Sequence, residues 1–373
     1  MSYRMLSGWR MAGLAAVLGL LGSGVAGMAL ADVQPGSVAV RHPGAGGPLR
    51  LAGPAAAMAP VVVGFRLLQQ AAVACQGTSY RGEQVMLWWG PGQASTSVVE
   101  VWHQPGRMTL VRASDTDPET TAPGGIADDQ GPDGTLGLSG RLLVLLQSNY
   151  QVAYAGRGSV VGRPALVVEV RRPGGVLAAR FWLDAATKLP LRREMFAANA
   201  QMISEAAFTT LELGARGLDG MPAAAAAPWA AQLDRARLAA LRAQGWPLPG
   251  QLPGNLALFA ASQTSARSGP VIDLSYSDGL VVVSLFVQRG ELARAMPGWR
   301  QVTVGGRAVY SDDPDRRSLA WSAGGFVYTL IGDAPATTVS RVVTTLPHTT
   351  RLGFWARMAR GFRRLASWLN PLR

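Results

Sequence analysis

Gly158-Ser-Val-Val-Gly162-Arg163-Pro164-Ala-Leu-Val-Val-Glu-Val, then Arg180-Phe-Trp-Leu-Asp184, then Lys188-Leu-Pro190-Leu-Arg192-Arg193-Glu194 is the stretch that decides the fold. Two runs of alternating β-formers are separated by Pro173-Gly174-Gly175, and the second leads through a turn centred on Pro190 into another extended run. Gly and Pro punctuate the chain where strands must reverse, so the pattern specifies an antiparallel meander with one apolar face. No catalytic grouping lies within it.

The same signals continue upstream. Val61 to Ala74 predicts a short helix with Phe65, Leu67, Leu68 and Val73 available for burial. Thr78 to Trp89, Ser95 to Gln104 and Arg107 to Ala113 read as three strands split by Gly90-Pro91-Gly92 and Pro105-Gly106. Ser114 to Gly134 breaks the pattern with Asp115, Asp117, Glu119, Asp128, Asp129 and Asp133 and no basic residue. Its spacing does not fit a helix-loop-helix calcium site, so it reads as a solvated acidic loop. Leu142 to Leu146 predicts a short buried helix, and Met202 to Leu213 closes the meander.

Downstream, Arg216 to Pro228 is an alanine-rich linker, and a helix is expected over Trp229 to Gln244, ended by Gly245-Trp246-Pro247. Seven short β-runs follow: Leu256–Ala261, Val271–Tyr276, Leu280–Gln288, Trp299–Val304, Arg307–Tyr310, Ser318–Ser322 and Phe326–Ile331. Asp278-Gly279, Gly305-Gly306 and Gly324-Gly325 supply hairpin turns between them. Ala336 to Thr345 would form a closing helix. The expected organisation is a leader at 1–31, a tether at 32–60, a first domain at 61–214, a linker and helix at 215–248, a second domain at 249–348 and a tail at 349–373.

The net charge of +12 is concentrated at the ends: Arg4 and Arg10 precede every acid, and Arg351, Arg357, Arg360, Arg363, Arg364 and Arg373 follow His348. The body is therefore close to balance, which argues against a nucleic-acid surface on the folded domains. Arg4 and Arg10, the apolar run Met11 to Leu30 and the small residues of Ala29-Leu30-Ala31 have the order of an export signal. Two outcomes fit it, cleavage after Ala31 or retention as an anchor, and both place the body outside the cytoplasm. Cys75 is the only cysteine, so no intrachain disulfide is available; it is expected on an apolar helix face.

Catalysis would have to be built on His42, His103 and His348. His42 falls in the tether, His348 at the exit of the second domain, and His103 reads as a surface or half-buried strand histidine. No nucleophile elbow, HExxH, Cys-x-x-Cys or phosphate-cradling loop occurs. Asp312 and Asp313 sit in a turn sequence, where Asp serves local hydrogen bonding. The expectation is a non-enzymatic protein with no catalytic residues, no metal and no cofactor.

Aromatic residues carry more information. Trp88, Trp89, Trp102 and Trp182 all fall on expected strands of the first domain. They fit either the apolar lining of a curved sheet that holds an acyl chain or apolar peptide, or an ordinary core under helices. On a helix from Thr350 to Leu369, Phe354, Trp355, Met358, Phe362, Leu365 and Leu369 share one side, with Arg357, Arg360, Arg363 and Arg364 opposite. Such a helix suits an anionic membrane surface, or docking on protein.

Tyr80-Arg81-Gly82, Val161-Gly162-Arg163-Pro164-Ala165 with Val167-Val168-Glu169, Phe181-Trp182-Leu183-Asp184 and Leu189-Pro190-Leu191-Arg192 together resemble the MucB/RseB N-terminal domain and, more distantly, the LolA/LolB lipoprotein-carrier fold. Tyr276-Ser277-Asp278-Gly279-Leu280 with Val283-Ser284-Leu285-Phe286-Val287 is similar to a segment of the RseB C-terminal domain. The resemblance implies an α+β fold: a curved, open antiparallel half-barrel closed by helices, joined to a smaller mixed α/β domain. It further implies a sigma-E-type regulator, periplasmic or on the outer face of the cytoplasmic membrane. Such a protein binds a membrane-bound anti-sigma factor or similar membrane protein and senses a lipid or acyl ligand in envelope stress. The alternative is a LolA-like carrier of lipid or lipoprotein. The family offers no catalytic motif to transfer.

Overall fold

The computed structural model describes residues 54–90, 93–105, 108–113, 136–214, 231–266, 269–292, 296–312, 317–332 and 334–348. The leader with His42, the acidic loop Ser114–Gly134, the alanine-rich linker Arg216–Pro228 and the tail carrying Phe354, Trp355, Arg357, Met358, Arg360, Phe362, Arg364 and Leu365 lie outside the described residues. The chain divides into two compact units: Met1–Pro228 together with Ser277–Val282, and Trp229–Tyr276 together with Val283–Arg373.

The first unit opens with α1 (Pro54–Gly77), β1 (Tyr80–Gly90), β2 (Gln93–Gln104) and β3 (Met108–Ala113). It continues with α2 (Gly140–Asn149), β4 (Gln151–Val160), β5 (Arg163–Arg171), β6 (Leu177–Asp184), β7 (Pro190–Phe196) and β8 (Met202–Leu213). Its eight strands form one antiparallel sheet in the order β3-β2-β1-β8-β7-β6-β5-β4. The meander of the opening stretch is β4 to β7. Its first reversal is the pair Val161 and Gly162 at φ 50 and 70, between the paired Val160 and Arg163. Two positive φ values give the primed turn whose twist matches that of the strands.

Register shifts at Glu83/Gln84, Tyr154/Gly156, Val170/Arg171, Trp182/Leu183 and Met195/Phe196 interrupt the ladders. Each inserts an extra residue, which bends its strand and raises the local twist. The observed class, antiparallel sheet with few helices, is the α+β class expected from the sequence.

Helix α1 begins at Pro54, seven residues before the expected start and within the stretch read as tether. Pro at the first helical position and the following Ala55-Ala56-Ala57 favour that start, since Pro loses no helical hydrogen bond there and Ala has the highest helix propensity. Leu67, Leu68, Ala71, Ala72 and Ala74 of α1 are buried, whereas Val73, expected in the core, is 70% exposed. The helix crosses β4 so closely that a Cβ on Gly64 would lie 2.6 Å from the Ala153 carbonyl carbon. Helix α2 is capped by Ser139, whose hydroxyl accepts from Leu142 N, and it buries Leu142, Leu143 and Leu146.

The second unit contains β9 (Ala231–Gln232), α3 (Arg235–Ala243), β10 (Gln251–Leu252), β11 (Leu256–Ala266), β12 (Gly269–Ser277), β13 (Val282–Arg289), β14 (Arg300–Val304), β15 (Arg307–Ser311), β16 (Ser318–Ala323), β17 (Phe326–Gly332) and α4 (Ala336–Thr345). Its sheet runs β10-β11-β12-β13-β17-β16-β15-β14, with β9 added beside β11. Helix α3 is shorter than the run from Trp229 suggests. Asp234 accepts from Arg237 N at 2.7 Å and sets its start, and the preceding residues pair as β9. Leu238, Leu241, Trp246, Tyr276, Trp321, Tyr328, Val342 and Val343 share one core. His348, expected to be loosely held, stacks on Trp321 at 5.2 Å, and its Nε2 donates to the Val343 carbonyl. Burial holds its pKa below the ordinary histidine value, helped by Arg307 and opposed by that hydrogen bond. No described helix is long and apolar enough to cross a membrane.

Candidate functional site

Strand pairing assigns the side chains of the first sheet to its two faces. Along β1, Tyr80, Gly82, Gln84 and Met86 are buried, while Arg81, Glu83, Val85 and Leu87 are half-buried. Val99, Val101 and His103 of β2 stand opposite Gln84, Gly82 and Tyr80 and share their face, as does Phe208 of β8 opposite Gln84. Tyr80, Met86, Val99, Val101 and Phe208 form an apolar cluster with Leu136, Val160, Ala165, Leu189 and Leu191, and Trp88, Trp182 and Cys75 pack against it partly buried. Cys75 thus lies on an apolar helix face, as expected.

One end of this face is aromatic. Tyr80 stacks on His103 at 5.2 Å and meets Phe208 edge-on at 5.8 Å. His103 is buried, not at the surface. Its Nδ1 lies 2.8 Å from Thr109 Oγ1 and its Nε2 3.4 Å from the Gln76 carbonyl. A carbonyl only accepts, so Nε2 carries the proton and Nδ1 accepts from the threonine hydroxyl. The histidine is a structural bridge between β2, β3 and the end of α1. On the same face, opposite Val99 and Phe208, Gln84 is 1% exposed, and its Oε1 has no hydrogen-bond partner. An orphaned buried acceptor costs about 1–3 kcal/mol, so Gln84 is the polar feature of this face that a bound donor would relieve.

The sheet does not gather the four tryptophans into one lining. Trp88 stands on the face of Gln84 and Met86. Trp102, opposite Arg81, and Trp89, opposite Ala94, project from the other face, with Trp102 1% and Trp89 39% exposed. The Arg81 guanidinium covers the Trp102 ring at 5.4 Å. Trp182 lies in register with Arg192 and, through it, Ala207 and Val85, so pairing puts it on the pleat opposite to Trp88, while both rings still border the same apolar cluster.

Around Trp182 the strands assemble a row of charges that no local stretch of sequence reveals. Glu169, Arg180, Glu194 and Glu205 stand directly opposite one another across β5, β6, β7 and β8. Arg180 donates to Glu169 at 2.8 Å and to Glu194 at 3.4 Å; Arg171 donates to Glu169 at 2.6 Å. Arg192 bridges Glu194 at 2.7 Å and Glu205 at 2.9 Å. The Trp182 ring sits between two of these cations, 4.7 Å from Arg192 and 5.7 Å from Arg180. Gly158 lies beneath it, where a Cβ would be 3.2 Å from the indole nitrogen. The signal available in sequence was charge at alternate positions, in Glu169/Arg171, Arg180/Trp182 and Arg192/Glu194. The register that joins them is not written locally.

The carboxylates of this row differ. Burial opposes ionisation of Glu169, but hydrogen bonds from Arg180 and Arg171 outweigh it and hold the group below the ordinary carboxylate range. At Glu194 burial prevails and, with the nearby Glu205, raises the pKa despite Arg192 and Arg180. Asp184 is likewise held low: burial is outweighed by Arg163 at 2.6 Å and by Thr187, which fixes the turn from β6 to β7. Among the described residues no three His, Cys, Asp or Glu side chains are placed to hold a metal ion.

An antiparallel sheet bearing an apolar cluster and an Arg–Glu row around Trp182 defines an α+β scaffold. Residues 123–239 match the family model described as the MucB/RseB N-terminal domain. No curated protein matches the chain significantly. Among solved structures it is similar to the MucB chain of the Pseudomonas aeruginosa MucA/MucB complex, at 22% identity, covering 77% of this chain and 100% of that one with a TM-score of 0.41. A structure of MucB alone is 21% identical over 77% of this chain and 98% of that one, TM-score 0.44. A LolA superfamily protein from Nitrosomonas europaea is 8% identical over 73% and 91%, TM-score 0.18.

Proposed function

We propose that this protein is an extracytoplasmic regulator that binds the outer segment of a membrane-bound anti-sigma factor and responds to a lipid or other apolar ligand. The observation that carries the reading is the family match over residues 123–239. MucB, a protein of that family by name, is found in complex with MucA(peri). The half-buried Arg180–Trp182–Arg192 stripe supports it by offering cations and an aromatic face to a polar peptide. The apolar cluster with Trp88 at its margin and the orphaned Gln84 acceptor supports an acyl ligand that also carries a hydrogen-bond donor. The export-type leader supports a position outside the cytoplasm, and the basic tail supports attachment to an anionic membrane surface.

The test combines a cell with a purified protein. Deleting the gene should change envelope-stress transcription, and the full chain should bind the outer segment of a membrane-bound anti-sigma factor from the same organism. Unchanged transcription together with no binding at about 100 µM overturns the reading. Native mass spectrometry that finds co-purified lipid in a chain without affinity for the anti-sigma segment favours the carrier function instead.

A further inference from the structure

A six-residue segment from far along the chain completes the first unit. Ser277–Val282 lies between β12 and β13 in sequence but belongs to the compact unit built from α1, α2 and β1 to β8. It rests on the last turn of α2. Gly279 has φ +103, and a Cβ there would fall 2.2 Å from Leu146 N and 2.3 Å from Leu146 Cα. Both the backbone angle and the contact with helix backbone admit only glycine.

Polar contacts hold the segment on both sides of that glycine. Tyr150 donates its hydroxyl to Asp278 Oδ2 at 2.6 Å, and Asn149 Nδ2 donates to the Asp278 carbonyl at 2.9 Å. Arg193 Nη2 donates to the Leu280 carbonyl at 2.6 Å. The other carboxylate oxygen of Asp278 accepts from Leu280 N and Val281 N, both at 2.9 Å, so the segment is preorganised in its seated shape. Burial, and then the charge of Asp278, push the Tyr150 hydroxyl well above its ordinary pKa, so it remains a donor. Ser277, Asp278, Leu280 and Val281 are all buried.

We infer that Ser277–Val282 is a clasp: a separable segment whose seating on α2 holds the α2–β4 corner closed and whose release is a local opening available to the first unit. The hydrogen bonds fall at the α2–β4 corner, from Asn149 and Tyr150, and at one position of β7, from Arg193. Losing them unlocks α2 without dismantling the sheet, the behaviour of a low-stability cooperative element. Asn149 and Tyr150 join α2 directly to β4, so opening at the clasp propagates first along those two elements.

Hydrogen exchange on the full chain tests this, with Gly279→Ala, Tyr150→Phe and Gly269→Ala compared with the wild type. Gly269 has φ +111, and a Cβ there would meet nothing within 4 Å, so it carries the backbone penalty of Gly279 without the clash. Gly279→Ala should speed exchange in Gly140–Asn149 and the start of β4 by about tenfold or more, and Tyr150→Phe by about threefold to fivefold in the same peptides. Gly269→Ala should leave them at wild-type rates. If α2 exchanges at the wild-type rate in both Gly279→Ala and Tyr150→Phe, or if exchange rises equally across all eight strands of the sheet, the clasp does not exist.

Discussion

The two faces of the first sheet are built by different physics from the same strands. On one, Tyr80, Met86, Val99, Val101 and Phe208 exclude water by shape and apolar area. On the other, Glu169, Arg180, Glu194, Arg192 and Glu205 are held by charge around Trp182. Shape tolerates no lost volume yet ignores pH, whereas a charge row tolerates changes of volume and depends on every proton. The polar face is therefore the one that can answer to ionic conditions or to a charged partner, and the apolar face is the one that gives the unit its stability.

Phe208→Ala should have the largest effect, a loss of about 3–5 kcal/mol in denaturant unfolding, because it empties the space over Gly82 and beside Tyr80. The loss should be the same at pH 5 and pH 7; a marked pH dependence would break the division between the faces. Arg192→Ala should cost about 2 kcal/mol by the same assay, since it strands Glu194 and Glu205 near each other with one cation fewer. High salt should shrink that cost.

The carboxylates sharpen the contrast further. Glu169 ionises more readily in the folded chain than in the unfolded one. Its stabilisation is present above the ordinary carboxylate range and is lost as pH falls through its lowered folded value. Glu194 runs the other way: its raised folded pKa favours the folded state when it is protonated, and that contribution is lost as pH rises through the raised value. Glu169→Gln should thus cost about 1 kcal/mol at pH 7 and nothing in acid, while Glu194→Gln costs less than Glu169→Gln at pH 7. Thermal melts across pH 3 to 7 decide it, and equal costs for the two variants would contradict the assignment. The smallest effect should come from Gln84→Leu, which removes the orphaned acceptor and should raise stability by up to about 1 kcal/mol while weakening any ligand that donates there.

Much of the scaffold was legible in the sequence because turns and alternation are local signals. Pro173-Gly174-Gly175 marks the reversal from β5 to β6, and all seven β-runs from Leu256 onward appear as strands; the turn expected around Pro190 instead lies at Ala185–Lys188, with Pro190 opening β7, because the Asp184 carboxylate organises the backbone just before it. What was not legible depends on register. Adjacent Trp88 and Trp89 had to face opposite ways on any strand, but that Trp102 sides with Trp89 follows only from its pairing with Arg81. The Glu169–Arg180–Glu194–Glu205 row likewise requires four strands to align across their bulges. Asp278-Gly279 reads as a hairpin turn, and its sequence does not reveal that the glycine lies against Leu146.

The most direct test of the proposed regulator is calorimetric titration of the full chain with the outer segment of a membrane-bound anti-sigma factor from the same organism. A saturable complex with Kd near or below ~1 µM, weakened at least about tenfold by Arg192→Ala or Trp182→Ala, is the predicted result. No heat of binding up to about 100 µM, with the chain folded and its α2 protected from exchange, contradicts it.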